Sequence, residues 1–399
     1  MDFKEVLDAK ERLQGIIQPT PLIKSPVFSG EYGNEVYLKP ENFQVTGAFK
    51  IRGAYNKVAS LSDSERSRGL ISASAGNHAQ GVAYSAQKLG VKAKIIMPSH
   101  TPLIKTAATK AYGVEVLLSG SCYDDAYETA RTLEKEEGLC FVHPFDDAKV
   151  IAGQGTIALE ILEELPDADI LLVPIGGGGL AAGIALAAKH VNPSIQVIGV
   201  EPERAASMYN SKVHGKVKRL RKVETIAEGV AVKEPGKLTY DLIQKYLDEI
   251  LLVSDYDIME EFLVLLEKHK IVAEAAGVLS LAALKKLTVQ NKKIVCVLSG
   301  GNIDVVTMAE MINRGLVTRG RLCCFQVELP DVPGQMLKIA GILAEHQANI
   351  IKLDHDQFKT IDRFRKVVLE VTAETSGKEH VALILQALRQ EGYHVEVIY

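Results

Sequence analysis

One stretch constrains the fold of this chain more than any other. Ile170 to Ala188 carries no charged residue, and four consecutive glycines, Gly176 to Gly179, stand in its middle. Its length and apolarity would suffice to span a bilayer. Pro174 and the glycines make a continuous helix there very costly. A buried strand over Ile170–Ile175, a glycine turn and a helix over Leu180–His190 account for the same residues without a membrane span. That unit belongs to α/β proteins with mostly parallel sheets.

The same rhythm recurs along the chain. Leu70–Ala73 leads into Ala79–Leu89, Lys94–Met97 into Ile104–Tyr112, and Val114–Leu118 into Tyr123–Glu136. Ile195–Val200 and Ile294–Leu298 read as two more buried strands, and a polar helix opens the chain near residues 3–15. Ligands in such folds sit at the carboxyl ends of strands, so the turns are where chemistry is expected. After about residue 320 the rhythm changes to βαββαβ. Its strands are Leu322–Leu329, Asn349–His355, Arg365–Thr372 and Tyr393–Ile398, with helices from Pro333-Gly334 to His346 and over Lys378–Glu391. The boundary falls near Asn313–Gly320, a short stretch with two glycines and several charges.

Composition narrows the function. Lys and Arg number 46 against 50 Asp and Glu, a formal charge of -4, so there is no broad electrostatic footprint for nucleic acid. The basic run Lys212–Lys222 has no interleaved aromatics and reads as a solvated loop. Five cysteines without Cys-x-x-Cys spacing argue against a disulfide framework or structural zinc, and for a reducing compartment. The charged start Met1-Asp2-Phe3-Lys4-Glu5 lacks the apolar run of a signal peptide, and the cytoplasm is expected.

Four turns carry the candidate chemistry. Gly176 to Gly179, between a strand and a helix, lets backbone N–H groups close around an anion with no Cβ in the way; a tight strand-helix turn with close packing is the competing reading, and it needs only one or two glycines. Gly176, Gly178 and Ala181 also fit a dinucleotide fingerprint, with Glu201 at the end of the next strand as the ribose acid. No Gly-Lys-Ser/Thr closes the loop, which disfavours a Walker-type site. The second turn is Thr46-Gly47-Ala48-Phe49-Lys50-Ile51. With Thr46 as cap of a helix to Ala59, Lys50 lies in the first turn, against the helix dipole and flanked by apolar Phe49 and Ile51. Both effects lower an amine's pKa and suit a Schiff-base nucleophile, although most lysines are plain surface residues. In the third turn, Ser74-Ala75-Gly76-Asn77-His78, exposed N–H groups with Ser74 and Asn77 suit a carboxylate; simple N-capping competes with that reading. The fourth, Ser299-Gly300-Gly301-Asn302, ends a buried strand.

In this chain order, the four turns resemble the fold-type II pyridoxal-phosphate enzymes, and within them the serine/threonine dehydratases, over roughly residues 10–315. The resemblance implies two open, twisted, mostly parallel sheets flanked by helices, with a smaller lobe over about 45–150. It implies that Lys50 carries pyridoxal 5'-phosphate and is catalytic, that Asn77 bonds the ring hydroxyl, and that Gly176, Gly177, Gly178, Gly179 and Leu180 hold the phosphate. Phe49 packs near the ring, Ser299 partners the pyridine nitrogen, and Gly229 and Glu274 line the site. Ser74, Ala75, Gly76, Asn77 and His78 take the amino-acid substrate. A serine does not hold the ring nitrogen protonated as a carboxylate would, and the weaker electron sink suits β-elimination. Lys50, released when substrate binds, can then take the Cα proton.

Serine racemases of this family have a second serine where this chain has Ala75, so racemisation is disfavoured. Their cation site maps onto Glu201, the Ala205 carbonyl and Ser207, with Ser207 in place of an aspartate; a monovalent or divalent cation is the implied occupant. The segment 321–399 resembles an ACT regulatory domain through Asp331-Val332-Pro333-Gly334 and Ala348-Asn349-Ile350. Such domains pair and bind small amino acids, which makes Asp331, Pro333, Gly334, Asn349 and Ile350 the effector candidates. The expected protein is an amino-acid dehydratase acting on L-threonine and secondarily on L-serine, a homodimer or homotetramer tuned by an amino acid. A serine-preferring relative, a dinucleotide-dependent oxidoreductase and a non-enzymatic amino-acid sensor are the rival readings.

Overall fold

The computed structural model describes residues 1–355 and 366–399. Its contacts divide them into two units, Met1–Ile303 and Asp304–Tyr399. In the first unit a six-stranded sheet takes the order Ile23–Lys24, Glu35–Pro40, Lys293–Leu298, Ile170–Pro174, Gln196–Pro202, Glu249–Val253. Every pair is parallel except the first, where Ile23–Lys24 runs against Glu35–Pro40. A second sheet of four parallel strands takes the order Glu115–Leu118, Ala93–Met97, Leu70–Ala73, Cys140–Phe141.

Strand order is what assembles the turns. Glu35–Pro40, Lys293–Leu298 and Ile170–Pro174 are parallel neighbours, so the segments that follow them leave from one edge of one sheet. Those segments lead to Lys50, to the Ser299 turn and to the glycine turn. Neighbouring strands lie about 4.8 Å apart, so three of the four turns fall within roughly 10 Å. Leu70–Ala73, at an interior position of the smaller sheet, delivers the fourth. The strands beneath are apolar and closed to solvent: Ile294 to Leu298 and Leu171 to Val173 are fully buried. The helices Ala148–Glu164 and Gly179–Val191 supply most of the core against the larger sheet.

The second unit is the expected βαββαβ arrangement. Its antiparallel sheet has the order Asn349–His355, Lys366–Glu374, Leu322–Pro330, His394–Val397, with helices Gln335–Glu345 and Lys378–Gln390 closing a core around Phe325, Ile339, Leu343 and Leu388. The third strand was expected from Arg365, a residue outside the described ones. The stretch expected as the boundary, Asn313–Gly320, is mostly helix, and the division falls earlier, between Ile303 and Asp304. Val305–Thr318 is continuous, capped by the Asp304 carboxylate on Thr307 N–H, with Gly315 buried inside it. The helix ends only at Gly320, whose φ of +66° suits glycine. Apolar residues at helical spacing outweighed one interior glycine. No helix among the described residues is long and apolar enough to cross a membrane.

Candidate active site

Lys50 is the first residue of the helix Lys50–Ala59. Thr46 does not cap that helix: Phe49 stands at the cap position with no side-chain bond, and Thr46 Oγ1 reaches only the Ala48 carbonyl, at 3.5 Å. Contacts distant in sequence replace the cap. Phe49 N–H donates to the Ser299 carbonyl at 3.1 Å, Gly301 N–H to the Gly47 carbonyl at 2.9 Å, and Ala48 bridges to Gly300. The Lys50 turn and the Ser299 turn are thus one piece of structure.

The Lys50 amine donates to the Pro144 carbonyl at 2.7 Å and lies 5.1 Å from the centre of the Phe49 ring. The residue keeps partial contact with solvent, but its amine is enclosed. Burial pulls the amine's pKa down to about 8, with the Glu274 carboxylate opposing. Desolvation, expected from Phe49 and Ile51, is therefore the working effect.

Asn77 opens the helix Asn77–Leu89, behind Gly76 at the cap position. Its Nδ2 donates to Glu274 Oε1 at 2.7 Å, and its Oδ1 accepts from Asn302 Nδ2 at 2.8 Å. Simple capping by Asn77 is excluded, because both ends of the amide reach other turns. Ser74 Oγ accepts the Gly76 N–H at 3.3 Å and stays within its own turn. Ala75 packs against the apolar core of the smaller lobe. His78 turns inward: Nε2 bonds the Val142 carbonyl at 3.0 Å, and burial lowers its pKa to about 3. It is a neutral ring set behind the turn, not at its mouth.

The glycine turn is covered by protein. A Cβ at Gly177 would lie 2.3 Å from the Phe145 ring, and one at Gly176 would lie 3.0 Å from Val230 Cα. At Gly178, whose φ is +96°, a Cβ would meet Met208 and Thr239. Thr239 Oγ1 donates to the Gly177 carbonyl at 2.7 Å and ties it outward. The N–H groups from Gly176 to Leu180 have no acceptor among the described residues, and Gly177 to Leu180 are buried. Orphaned buried donors at a helix start fit a phosphate. Phe145, over this loop, directly follows Pro144, whose carbonyl holds Lys50, so glycine loop and amine are joined through two residues.

Ser299, 4 % exposed, donates from Oγ to the Ala276 carbonyl at 3.2 Å. Glu274 N–H bonds the Gly300 carbonyl at 3.0 Å, and a Cβ at Gly229 would approach Glu274 Oε1 at 3.4 Å. Burial raises the Glu274 carboxyl to about 7, against the hydrogen bond from Asn77. Lys50, Phe49, Asn77, Glu274, Gly229, Ser299 and the glycine loop are therefore joined in one network of contacts.

The cation set is built differently. Glu201 is buried at the end of Gln196–Pro202, and its two oxygens accept Met208 N–H at 2.9 Å and Tyr209 N–H at 2.7 Å. Both oxygens of this carboxylate are thus engaged by the backbone that follows the strand. The Ser207 hydroxyl is buried without a partner among the described residues. That oxygen with the Ala205 carbonyl and one carboxylate is a donor set suited to a cation of low charge.

The effector candidates are not brought together. Pro330, before the Asp331–Gly334 turn, pairs with Lys366, whereas Asn349 pairs with Glu374 at the other end of the same strand. Eight residues of antiparallel strand separate those ends, roughly 27 Å. Antiparallel pairing with Lys366–Glu374 dictates this, so one chain does not form a site from both halves. Three residues of the active site were missed. Pro144 and Phe145 follow a strand of only two residues, Cys140–Phe141, too short to announce a turn. Asn302 stood in view directly after Ser299-Gly300-Gly301, but its partners are more than two hundred residues away.

Comparison with known proteins agrees with this geometry. The family described as pyridoxal-phosphate dependent enzyme matches residues 13–300. The L-threonine ammonia-lyase of Thermotoga maritima is 45% identical over 397 residues, 99% of each chain. The catabolic L-threonine dehydratase of Escherichia coli K12 is 46% identical over 311 residues, covering 77% of this chain and 94% of its own. The processed form of threonine deaminase isoform 2 from Solanum lycopersicum superposes with a TM-score of 0.76 at 37% identity, over 78% of this chain and 87% of that one.

Proposed function

The chain belongs to the pyridoxal-phosphate dependent enzyme family, and from that premise we propose that it converts L-threonine to 2-oxobutanoate and ammonia, and L-serine more slowly to pyruvate and ammonia. The observation that carries the reading is the junction at Pro144-Phe145, which joins an enclosed lysine amine to a loop of unpaired buried N–H groups. Near-complete coverage at 45% identity by a relative named L-threonine ammonia-lyase supports the choice of substrate.

When bound, pyridoxal phosphate supplies the electron sink for the pair left by the Cα–H bond. The chain's own residues supply the rest. The N–H groups of Gly176 to Leu180 would hold the phosphate, Phe49 would pack near the ring, and Asn77 would face the ring hydroxyl. The Ser74 hydroxyl and the Ala75 N–H take the substrate carboxylate, since the Ser74 and Gly76 N–H groups already have acceptors. The Lys50 amine, with a pKa brought down to about 8, has a useful neutral fraction near neutral pH and takes the Cα proton. Its bond to the Pro144 carbonyl fixes where the free amine waits. Ser299 has one hydroxyl proton. Here it goes to the Ala276 carbonyl; turned to a ring nitrogen instead, it would pair with that nitrogen in its unprotonated form. The β-hydroxyl then leaves with a proton as water, the electron pair from Cα forming the Cα–Cβ double bond, and the resulting enamine takes up water to give the 2-oxo acid and ammonia. Glu201, the Ala205 carbonyl and Ser207 hold a cation.

Residues 321–399 tune the enzyme, and isoleucine is the leading effector, at a site completed by a second copy because one chain separates its halves. The chain is proposed to act as a homodimer or homotetramer in the cytoplasm. The test is a purified, cofactor-loaded protein given L-threonine or L-serine, with 2-oxo acid and ammonia measured. Lys50→Ala should abolish turnover and the visible cofactor band while remaining folded. A cofactor-loaded parent that forms no 2-oxo acid from either substrate would sink the reading, and a higher kcat/KM for L-serine would make it a serine-preferring enzyme. D-serine should stay negligible beside pyruvate. A chain ending at Gly320 that keeps activity and still responds to isoleucine would place regulation elsewhere.

A further inference from the structure

Side-chain amides are ambiguous in direction: either end can face a given neighbour until something that cannot turn decides. Here the deciding group is a backbone carbonyl. Asn302 Nδ2 donates to the Thr46 carbonyl at 2.7 Å, and a carbonyl oxygen only accepts. The NH2 end of Asn302 is therefore fixed toward that side, and its second proton goes to Asn77 Oδ1 at 2.8 Å. Asn77 must then turn its NH2 end the other way, to Glu274 Oε1 at 2.7 Å. Glu274 Oε1 is left an acceptor, so a proton on this carboxyl resides on Oε2. Asn302 is itself held from behind. Gly47, at φ +70°, leaves room for its Oδ1, which would lie 2.3 Å from a Cβ there.

We propose that Asn302 is a positioning residue that sets the direction of the Asn77 amide, so that the Thr46 carbonyl determines which face of Asn77 the cofactor ring meets. This rests on the reading that Asn77 faces the cofactor. The relay joins three turns, at Thr46, Asn77 and Asn302, and its direction is lost when its first donor is lost. Asn302→Asp keeps the shape and removes the donor. An aspartate oxygen facing the Thr46 carbonyl sets acceptor against acceptor, and one facing Asn77 demands its NH2 end. Asn77 then turns its Oδ1 toward Glu274 and presents the opposite face to the ring. Asn302→Ala removes the instruction altogether and leaves Asn77 free to adopt either direction.

The experiment compares parent, Asn302→Asp and Asn302→Ala by titrating each apoprotein with pyridoxal phosphate and recording the visible band and thermal melt. The parent's own band tests the cofactor reading; the difference between variant and parent tests the inference. Asn302→Asp should melt cooperatively, bind the cofactor about tenfold more weakly and show a displaced band maximum, with Asn302→Ala between it and the parent. If Asn302→Asp does not fold, Asn302→Ala decides, with weaker binding and a displaced or broadened band. A variant with a lowered Tm but the parent's affinity and band maximum would make Asn302 a structural residue only and overturn the proposal. So would unchanged values throughout.

Discussion

An enclosed amine announces itself in the pH dependence of cofactor capture. Only a neutral amine attacks an aldehyde, and burial brings the Lys50 pKa down to about 8. At pH 7 such an amine is roughly 9% neutral, against roughly 0.03% for one at the ordinary 10.5, an advantage of roughly 300-fold. The assay is stopped-flow absorbance of apoprotein mixed with pyridoxal phosphate, from pH 6 to 10.5. Dividing each rate by that of a free lysine side-chain analogue removes the cofactor's own ionisation. The normalised rate should be highest and level at low pH and fall above about pH 8. There the protein's amine is already neutral, while the analogue gains tenfold per unit. The raw rate should level off above about 8. A raw rate that climbs in parallel with the analogue up to pH 10 would refute the argument, because it would show a lysine with an ordinary pKa.

Three further outcomes follow from the same geometry. The lowered Lys50 pKa costs stability wherever the unfolded amine is protonated and the folded one is not readily so, and that cost is full below about pH 8 and fades toward 10.5. Lys50→Met should therefore stabilise the apoprotein by about 3 kcal/mol at pH 7 and by little at pH 10.5, read by urea unfolding, whereas an equal effect at both would contradict it. Gly177→Ala should cost about 1–3 kcal/mol, because its Cβ meets the Phe145 ring. In a double-mutant cycle the same change in a Phe145→Ala background should cost almost nothing, and additive effects would place the strain elsewhere. Glu261, bonded by Tyr32 OH at 2.9 Å, leaves Oε2 buried without a partner among the described residues, and burial raises its carboxyl to about 7. Stability falls as pH rises from about 4.5 through 7, where the unfolded carboxyl has ionised and the folded one has not. Glu261→Gln should raise Tm at pH 8 and leave it unchanged at pH 4; a gain at both would remove ionisation as the cause.

Much of the fold was legible because its strands are buried and its turns are rich in glycine. Ile170–Pro174, Leu70–Ala73 and Lys293–Leu298 are all runs of small and apolar residues ended by punctuation, and the sequence placed each within a residue or two. Glu35–Pro40 and Glu249–Val253 carry charged or partly exposed residues and gave no such contrast. Strand order was not legible at all. That Lys293–Leu298 inserts between Glu35–Pro40 and Ile170–Pro174 is a pairing across more than a hundred residues, and no local pattern encodes it. Local reasoning failed at Thr46 for the same reason. A threonine four residues before a lysine is a reasonable cap, but the helix start is fixed by the Ser299 carbonyl on Phe49 N–H. The site residues that sequence could name lie in motifs; those it missed, Pro144, Phe145 and Asn302, matter through distant partners.

The glycine loop shows that two readings offered as alternatives are one requirement. From sequence, four glycines stood either for close packing or for an anion site. In the structure the Cβ atoms are excluded by protein: Phe145, Val230, Met208 and Thr239 come in where side chains would have been. Those same neighbours wall the loop from solvent, so that the N–H groups of Gly177 to Leu180 are buried and have no acceptor among the described residues. A buried donor without a partner is costly, by about 1–3 kcal/mol each, and that cost is relieved when an anion arrives. Removing water also strengthens each N–H group's attraction for a charge. An open loop of larger residues would have donors already satisfied by water and a weaker hold on phosphate. Packing therefore makes the proposed anion site: it excludes water from the donors and leaves them to be satisfied by an anion.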